Sequence, residues 1–371
     1  MTDLTDELDE YAVAVRSFLS GAAPTDLAHS DTAWAAAGTR ELWKRMSDQL
    51  GAAGLLVPER LGGQGGDLTV AAVVLEELGA AQCRSPFLVS GVLAATALLA
   101  CEGSAEAESR LAAMAAGDLL AAVAFSARPD GDTALAAVTV SGTEGGRAVS
   151  GHVGPVLDAD LADLLLVVAQ VDGRQALLAV DLDAPQVARS AVALLDLTRS
   201  CADVVLTDAP ARVLHPDFAP HTEALRDLAH AALAAEMAGA ARQATRLAVD
   251  HASVRTQFGV RIGSTQAVQR LCVDMYRTAE GAGAIARAAC AALASQDQDA
   301  SRLARVAKAY TSAHCPEAAE ACVQVHGGMG FAWEQPAHLY LRRLRCDAEL
   351  FGDAVHHRAR LAVDLGLAAS A

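Results

Sequence analysis

The chain has 371 residues, 53% of them hydrophobic, and a formal net charge of -16. This length implies about two or three domains, with enough apolar residue to bury a large core. The acidic balance argues against broad nucleic-acid binding and against docking on an anionic membrane, although a local arginine cluster can still hold an anionic ligand.

Aromatics make up 4% of the chain and alanine is abundant, which predicts a mainly helical protein with close helix packing. The start, Met1 to Glu10, is acidic and lacks the apolar core of a signal peptide. Apolar runs such as Val92–Ala100 are too short to span a bilayer, so a soluble cytoplasmic protein without membrane insertion is expected. The eight cysteines include no C-x-x-C pair and read as buried free thiols in a reducing compartment.

Three blocks follow in chain order. Residues 1–117 have a helical pattern: Leu42, Met46, Leu50 and Leu55 recur at helical spacing, and Ala71–Leu78 and Leu93–Leu99 read as further helices. A turn-rich break, Val57 to Gly66, lies between them. In residues 118–214 the period changes. Leu119–Phe125, Ala134–Val140, Leu164–Val171, Gln175–Asp181 and Val204–Leu206 are short apolar runs bounded by Gly, Asp and Arg, which predicts a small antiparallel β domain. Residues 215–371 return to helix. Leu233, Met237, Ala240, Ala244 and Leu247 mark one face of a long helix, and Val268, Leu271, Met275, Ala279 and Ala282 mark the next. Alanine-rich stripes of this kind can close into a helical bundle.

Two segments in the last block could carry chemistry. Arg255 to Gln266 links the two long helices; Arg255 offers a planar fork of donors suited to a pyrophosphate, and Gln266 has donor and acceptor groups suited to an adenine edge. An ordinary loop with solvated arginines explains the same residues. Gln324 to Glu334 contains Gly327-Gly328-Met329-Gly330, where backbone can lie against a ligand; a glycine helix cap followed by a turn is the alternative. Arg342, Arg343 and Arg345 form a basic cluster that reads as a solvated face or as partners of carboxylates. Adjacent His356 and His357 would point apart on a helix, which argues against a metal site.

The order R-x-Q-F-G-x-x-I-x-x-x-Q, then Q-x-x-G-G-x-G-F, then an arginine-rich helix resembles the acyl-CoA dehydrogenase family. Val57-Pro58-Glu59, Gly62-Gly63 and Glu76-Glu77-Leu78-Gly79 fit the same family, so the resemblance spans nearly the whole chain. It implies an N-terminal helical domain, a small β-barrel-like domain and a C-terminal four-helix bundle. It also implies FAD at a subunit interface, with Arg255, Gln257, Phe258, Gln266, Gln324, Gly327 and Gly328 along the ADP moiety. Acyl-CoA would be the substrate and an electron-transfer flavoprotein or similar protein the acceptor. Asp227 matches a position that helps bind the CoA part in some members, although a helix-surface carboxylate explains it as well.

The family's reaction needs a carboxylate base to remove the α proton of the thioester. Its two usual positions fall here on Phe351 and Ala229, so no catalytic base is identified. Glu236 lies seven residues past Ala229, roughly 10 Å along a helix, too far to replace it in the same pose. Glu349 and Asp353 flank the other position and would point elsewhere. The segments that face the isoalloxazine ring in active members fall on Phe125–Asp132 and Gly154–Ala159, and neither matches. This combination resembles the partner subunit of heterotetrameric, steroid-type acyl-CoA dehydrogenases of actinobacteria. A homotetramer with an unusual base and a purely structural subunit are the other readings.

Overall fold

The computed structural model describes residues 2–22, 32–124, 137–143 and 146–367. Five helices come first: α1 (Thr2–Ala22), α2 (Thr32–Leu50), α3 (Leu68–Ala81), α4 (Ala95–Leu99, led in by a π-helical stretch Phe87–Ala94) and α5 (Ala105–Ala115). Asp67 starts α3 by accepting the backbone N–H groups of Thr69 and Val70, a normal N-cap.

Seven strands follow: β1 (Ala121–Val123), β2 (Val138–Thr143), β3 (Gly146–Leu157), β4 (Leu164–Val171), β5 (Arg174–Asp181), β6 (Val187–Ala191) and β7 (Cys201–His215). They form one sheet in the order β1-β4-β5-β7-β3-β2, with β6 also on β7. The long β7 pairs with β3, β5 and β6, each antiparallel. The expectation of an antiparallel domain needs one correction, because β1 runs parallel to β4. The three residues of β1 are all buried, and a short buried run carries no signal of direction.

The remaining helices are α6 (Ala219–Val254), α7 (Gln266–Ala294), α8 (Ala300–His326), α9 (Ala337–Glu349) and α10 (Ala354–Asp364). Every residue from Asp227 to Ala241 is buried, so α6 runs through the centre of the bundle. Its backbone touches that of α3. A Cβ on Gly239 would sit 1.8 Å from the Glu76 carbonyl oxygen, and one on Gly79 would sit 2.0 Å from that of Glu236. Beside this contact the buried Glu76 and Glu77 accept from Arg16, Arg242 and Arg287. Among the described residues no helix is long and apolar enough to cross a membrane.

Candidate functional site

Arg255 ends α6 and opens a two-stranded hairpin, β8 (Thr256–Gln257) and β9 (Val260–Arg261). The two turn residues, Phe258 and Gly259, both have positive φ, at 52° and 81°. Two positive-φ residues match the right-handed twist of a hairpin. Glycine takes that conformation freely, but an aromatic residue is strained in it. The Phe258 ring is nevertheless fully exposed, at 102%, so its position is not explained by burial in the core. Arg255, Gln257 and Gln266 are exposed as well.

The glycine segment follows α8. Gly327 caps that helix at φ 60° and ψ -139°, a conformation that requires glycine. Gln324, Gly327 and Gly328 are exposed, with Met329, Phe331 and Trp333 beside them at 43%, 70% and 55%. The two segments lie next to each other, because His251 near the end of α6 stacks on His326 at the end of α8, centroids 4.3 Å apart. Guanidinium fork, amide side chains and bare glycine backbone thus lie exposed at neighbouring helix ends. This donor set fits the ADP end of a dinucleotide.

The two base positions look different. Ala229 and Phe351 are buried at 0% and 3%. Glu236 is also buried and cannot serve as a free base. It accepts from Arg199 at 2.8 Å and from the Nη2 of Arg343. Arg199 also donates to Asp347 at 2.7 Å, and Asp196 lies 3.6 Å from its Nε. Burial pushes the Glu236 carboxyl up, but the two guanidiniums outweigh it and hold the group below the usual range. Two cations face three carboxylates here, and burial pushes the Asp347 carboxyl up against the pull of Arg199 and Arg343.

The arginine cluster therefore divides. Arg343 is buried with carboxylate partners, Arg345 pairs with Glu320 at the surface, and the Arg342 guanidinium lies 5.9 Å from the Trp333 ring centroid. Asp227 is not on the helix surface: it is 5% exposed, with its Oδ1 3.8 Å from the Nδ1 of His230. Asp353 points its carboxylate at the Nα of His356 and caps α10.

The turn that holds Phe351 is fixed from below by a residue that sequence reasoning missed. Lys308 is fully buried and donates to the Ser312 hydroxyl and to the carbonyls of Asp347, Ala348 and Gly352 at 2.6–3.1 Å. Burial pulls its ammonium down to about 7. Phe351 and Gly352 both take positive φ there, at 59° and 95°, and the Phe351 carbonyl accepts from His357.

Of the two flavin-ring segments, Phe125–Asp132 lies outside the described residues. In the other, Asp158 accepts from the Ser200 hydroxyl at 2.9 Å. Burial pushes its carboxyl up to about 7, and neighbouring Asp160 adds to this. A Cβ on Gly154 would meet the Asp203 Oδ1 at 2.2 Å. Carboxylates and close contacts do not fit a flavin ring, in contrast to the ADP-suited face. Arg199, Lys308, Asp347, His251 and His326 all escaped sequence reasoning. His326 lies inside the glycine segment but had no role assigned, and the contacts that matter most, Arg199–Asp347 and His251–His326, join residues remote in sequence.

A helical block, a sheet block and a helical bundle carrying these motifs define the acyl-CoA dehydrogenase class. Residues 5–118 match the N-terminal domain of acyl-CoA dehydrogenases and residues 225–365 the C-terminal domain, so the chain belongs to this FAD-dependent family. It is similar to acyl-CoA dehydrogenase IpdE2 of Mycobacterium tuberculosis, at 33% identity over 83% of this chain and 81% of the relative. It is 36% identical to FadE34 of the same organism over 92% of this chain, but spans only 45% of that protein. Its structure resembles the Tcur3481-Tcur3483 steroid acyl-CoA dehydrogenase, with TM-score 0.86 and 26% identity over 98% of both chains. The ChsE4-ChsE5 complex from Mycobacterium tuberculosis gives TM-score 0.85, again at 26% identity and 98% of both.

Proposed function

We propose that this chain is the partner subunit of a heterotetrameric acyl-CoA dehydrogenase and supplies the ADP-binding half of an FAD site shared with a homologous subunit. The observation that carries this reading is the state of the base positions. Ala229 and Phe351 stand where the family's carboxylates would, and Glu236, the buried carboxylate two turns further along α6, is committed to Arg199 and Arg343. Bound FAD supplies the hydride acceptor for α,β-dehydrogenation of a thioester. In this chain Arg255 would hold the pyrophosphate, with Gln257, Phe258, Gln266, Gln324, Gly327 and Gly328 along the ADP moiety. The partner would bring the isoalloxazine pocket and the glutamate. The similarity to a steroid acyl-CoA dehydrogenase supports a bulky steroid side-chain thioester as substrate. An electron-transfer flavoprotein or similar protein would take up the electrons.

The test is expression of the chain alone and together with candidate homologous subunits. Loss of a general base typically costs roughly a hundred- to ten-thousandfold in rate. Alone, the chain is expected to be colourless or nearly inactive. With the right partner it should give a yellow complex with fewer flavins than chains. A yellow homotetramer that oxidises acyl-CoA unaided would overturn the reading.

A further inference from the structure

The two cofactor-facing segments come from different helices, α6 and α8, which pack together, and a ring stack joins their ends. The rings of His251 and His326 stack with centroids 4.3 Å apart and planes 25° from parallel. The His251 carbonyl accepts the Arg255 N–H at 2.9 Å, so His251 sits directly behind the hairpin. His326 immediately precedes Gly327 and is 7% exposed. Its Nδ1 donates to the Cys322 carbonyl at 2.8 Å, which fixes both tautomer and ring plane. Burial, then the neighbouring His326 and Arg255, lower the His251 pKa and favour the neutral ring.

The hairpin is closed at its base by the Ile262 N–H donating to the Arg255 carbonyl at 2.9 Å, with Ile262 packed on the core. Its strands are two residues each, and its residues are exposed. A short hairpin of this size is marginal unless it is held at its base. Flat contact between two rings resists both sliding and rotation of the helix ends.

We propose that the His251–His326 stack is a positioning clamp that sets the spacing between the Arg255 hairpin and the Gly327-Gly328 turn, so that both meet one ADP group. This rests on the ADP-binding reading, and its test is chosen to stand apart from that reading. Amide hydrogen exchange is measured on the chain alone, comparing wild type with His251→Ala, His326→Ala and His251→Phe.

A lost ring stack should speed exchange by about three- to tenfold in both segments, residues 255–266 and 327–331, whichever histidine is removed. His251→Phe keeps a flat ring and should restore protection. Faster exchange only in the segment next to the substitution would show that the two move independently, which overturns the clamp. If His326→Ala does not fold, the half-buried His251 carries the same comparison.

In the assembled complex, flavin retention should fall in the alanine variants and return in His251→Phe. Retention that stays at the wild-type level while both loops loosen would also overturn the positioning role. Should Arg255→Ala leave flavin retention unchanged, the ADP reading fails, while the exchange result still decides whether the clamp exists.

Discussion

Glu236 is buried and Asp158 partly so, yet they lie on opposite sides of the ordinary carboxylate range. Glu236 has two guanidiniums in direct contact; at Asp158 burial and neighbouring Asp160 outweigh the Ser200 hydroxyl and the more distant Arg199 and Arg84. In the folded chain Asp158 holds its proton more tightly than in the unfolded chain, at about 7 against 3.8. Its contribution to stability is therefore present below the unfolded value and is lost as pH rises through about 7. Asp158→Asn removes that loss, and asparagine suits the backbone there, at φ 56°. The variant should melt about 2–4 °C higher than wild type at pH 8 and no higher at pH 4. An equal difference at both pH values would show that titration of Asp158 is not the cause. At this scale contiguity decides what a sequence reveals. Arg255–Gln266 and Gln324–Gly328 are contiguous, so their chemistry could be named from local pattern. The buried ion network joins Glu236 to Arg199 and Arg343 across 37 and 107 positions, and Arg199 to Asp347 across 148. No local pattern encodes such pairs.

Between elements, backbone approach matters more than side-chain volume. The helical stripes of α6 and α7 could be read from spacing because amphipathic period survives in the sequence. That α3 and α6 touch at Gly79 and Gly239 could not, since a glycine inside a helix has no signature of its own. A methyl at Gly239 would face a backbone carbonyl at 1.8 Å, which cannot rotate away. The helices would have to separate and would strain Glu76, which Arg242 and Arg287 hold at that point. Gly239→Ala should therefore destabilise by about 1–3 kcal/mol or more, despite alanine's better helix propensity. Thermal melting checks this, and an unchanged or higher midpoint would contradict the close approach. The parallel β1–β4 pair was equally hidden, because strand direction depends on the crossover rather than on the apolar run itself.

For the whole molecule, the acidic surface makes the Arg255 face notable. An exposed guanidinium without a carboxylate partner among the described residues is free for an anion. A charge-assisted contact of this kind contributes roughly 1.5–3 kcal/mol, or about ten- to a hundredfold in affinity. Arg255→Ala should lower flavin affinity of the assembled complex by that factor while leaving the chain's own melting point near wild type. Full flavin retention in the variant complex would remove Arg255 from the site.

The ion network has a consequence for how the molecule melts. Arg199 lies in the segment leading into β7, whereas Glu236, Arg343 and Asp347 lie on α6 and α9. Opening the boundary between sheet and bundle would strand buried charges on both sides, and breaking such a pair costs about 3–5 kcal/mol. Neither block can loosen ahead of the other without that penalty. Calorimetry of the isolated chain should show a single peak, with calorimetric and van't Hoff enthalpies in agreement. Two resolved peaks would mean that the boundary yields first and that sheet and bundle are independent folding units.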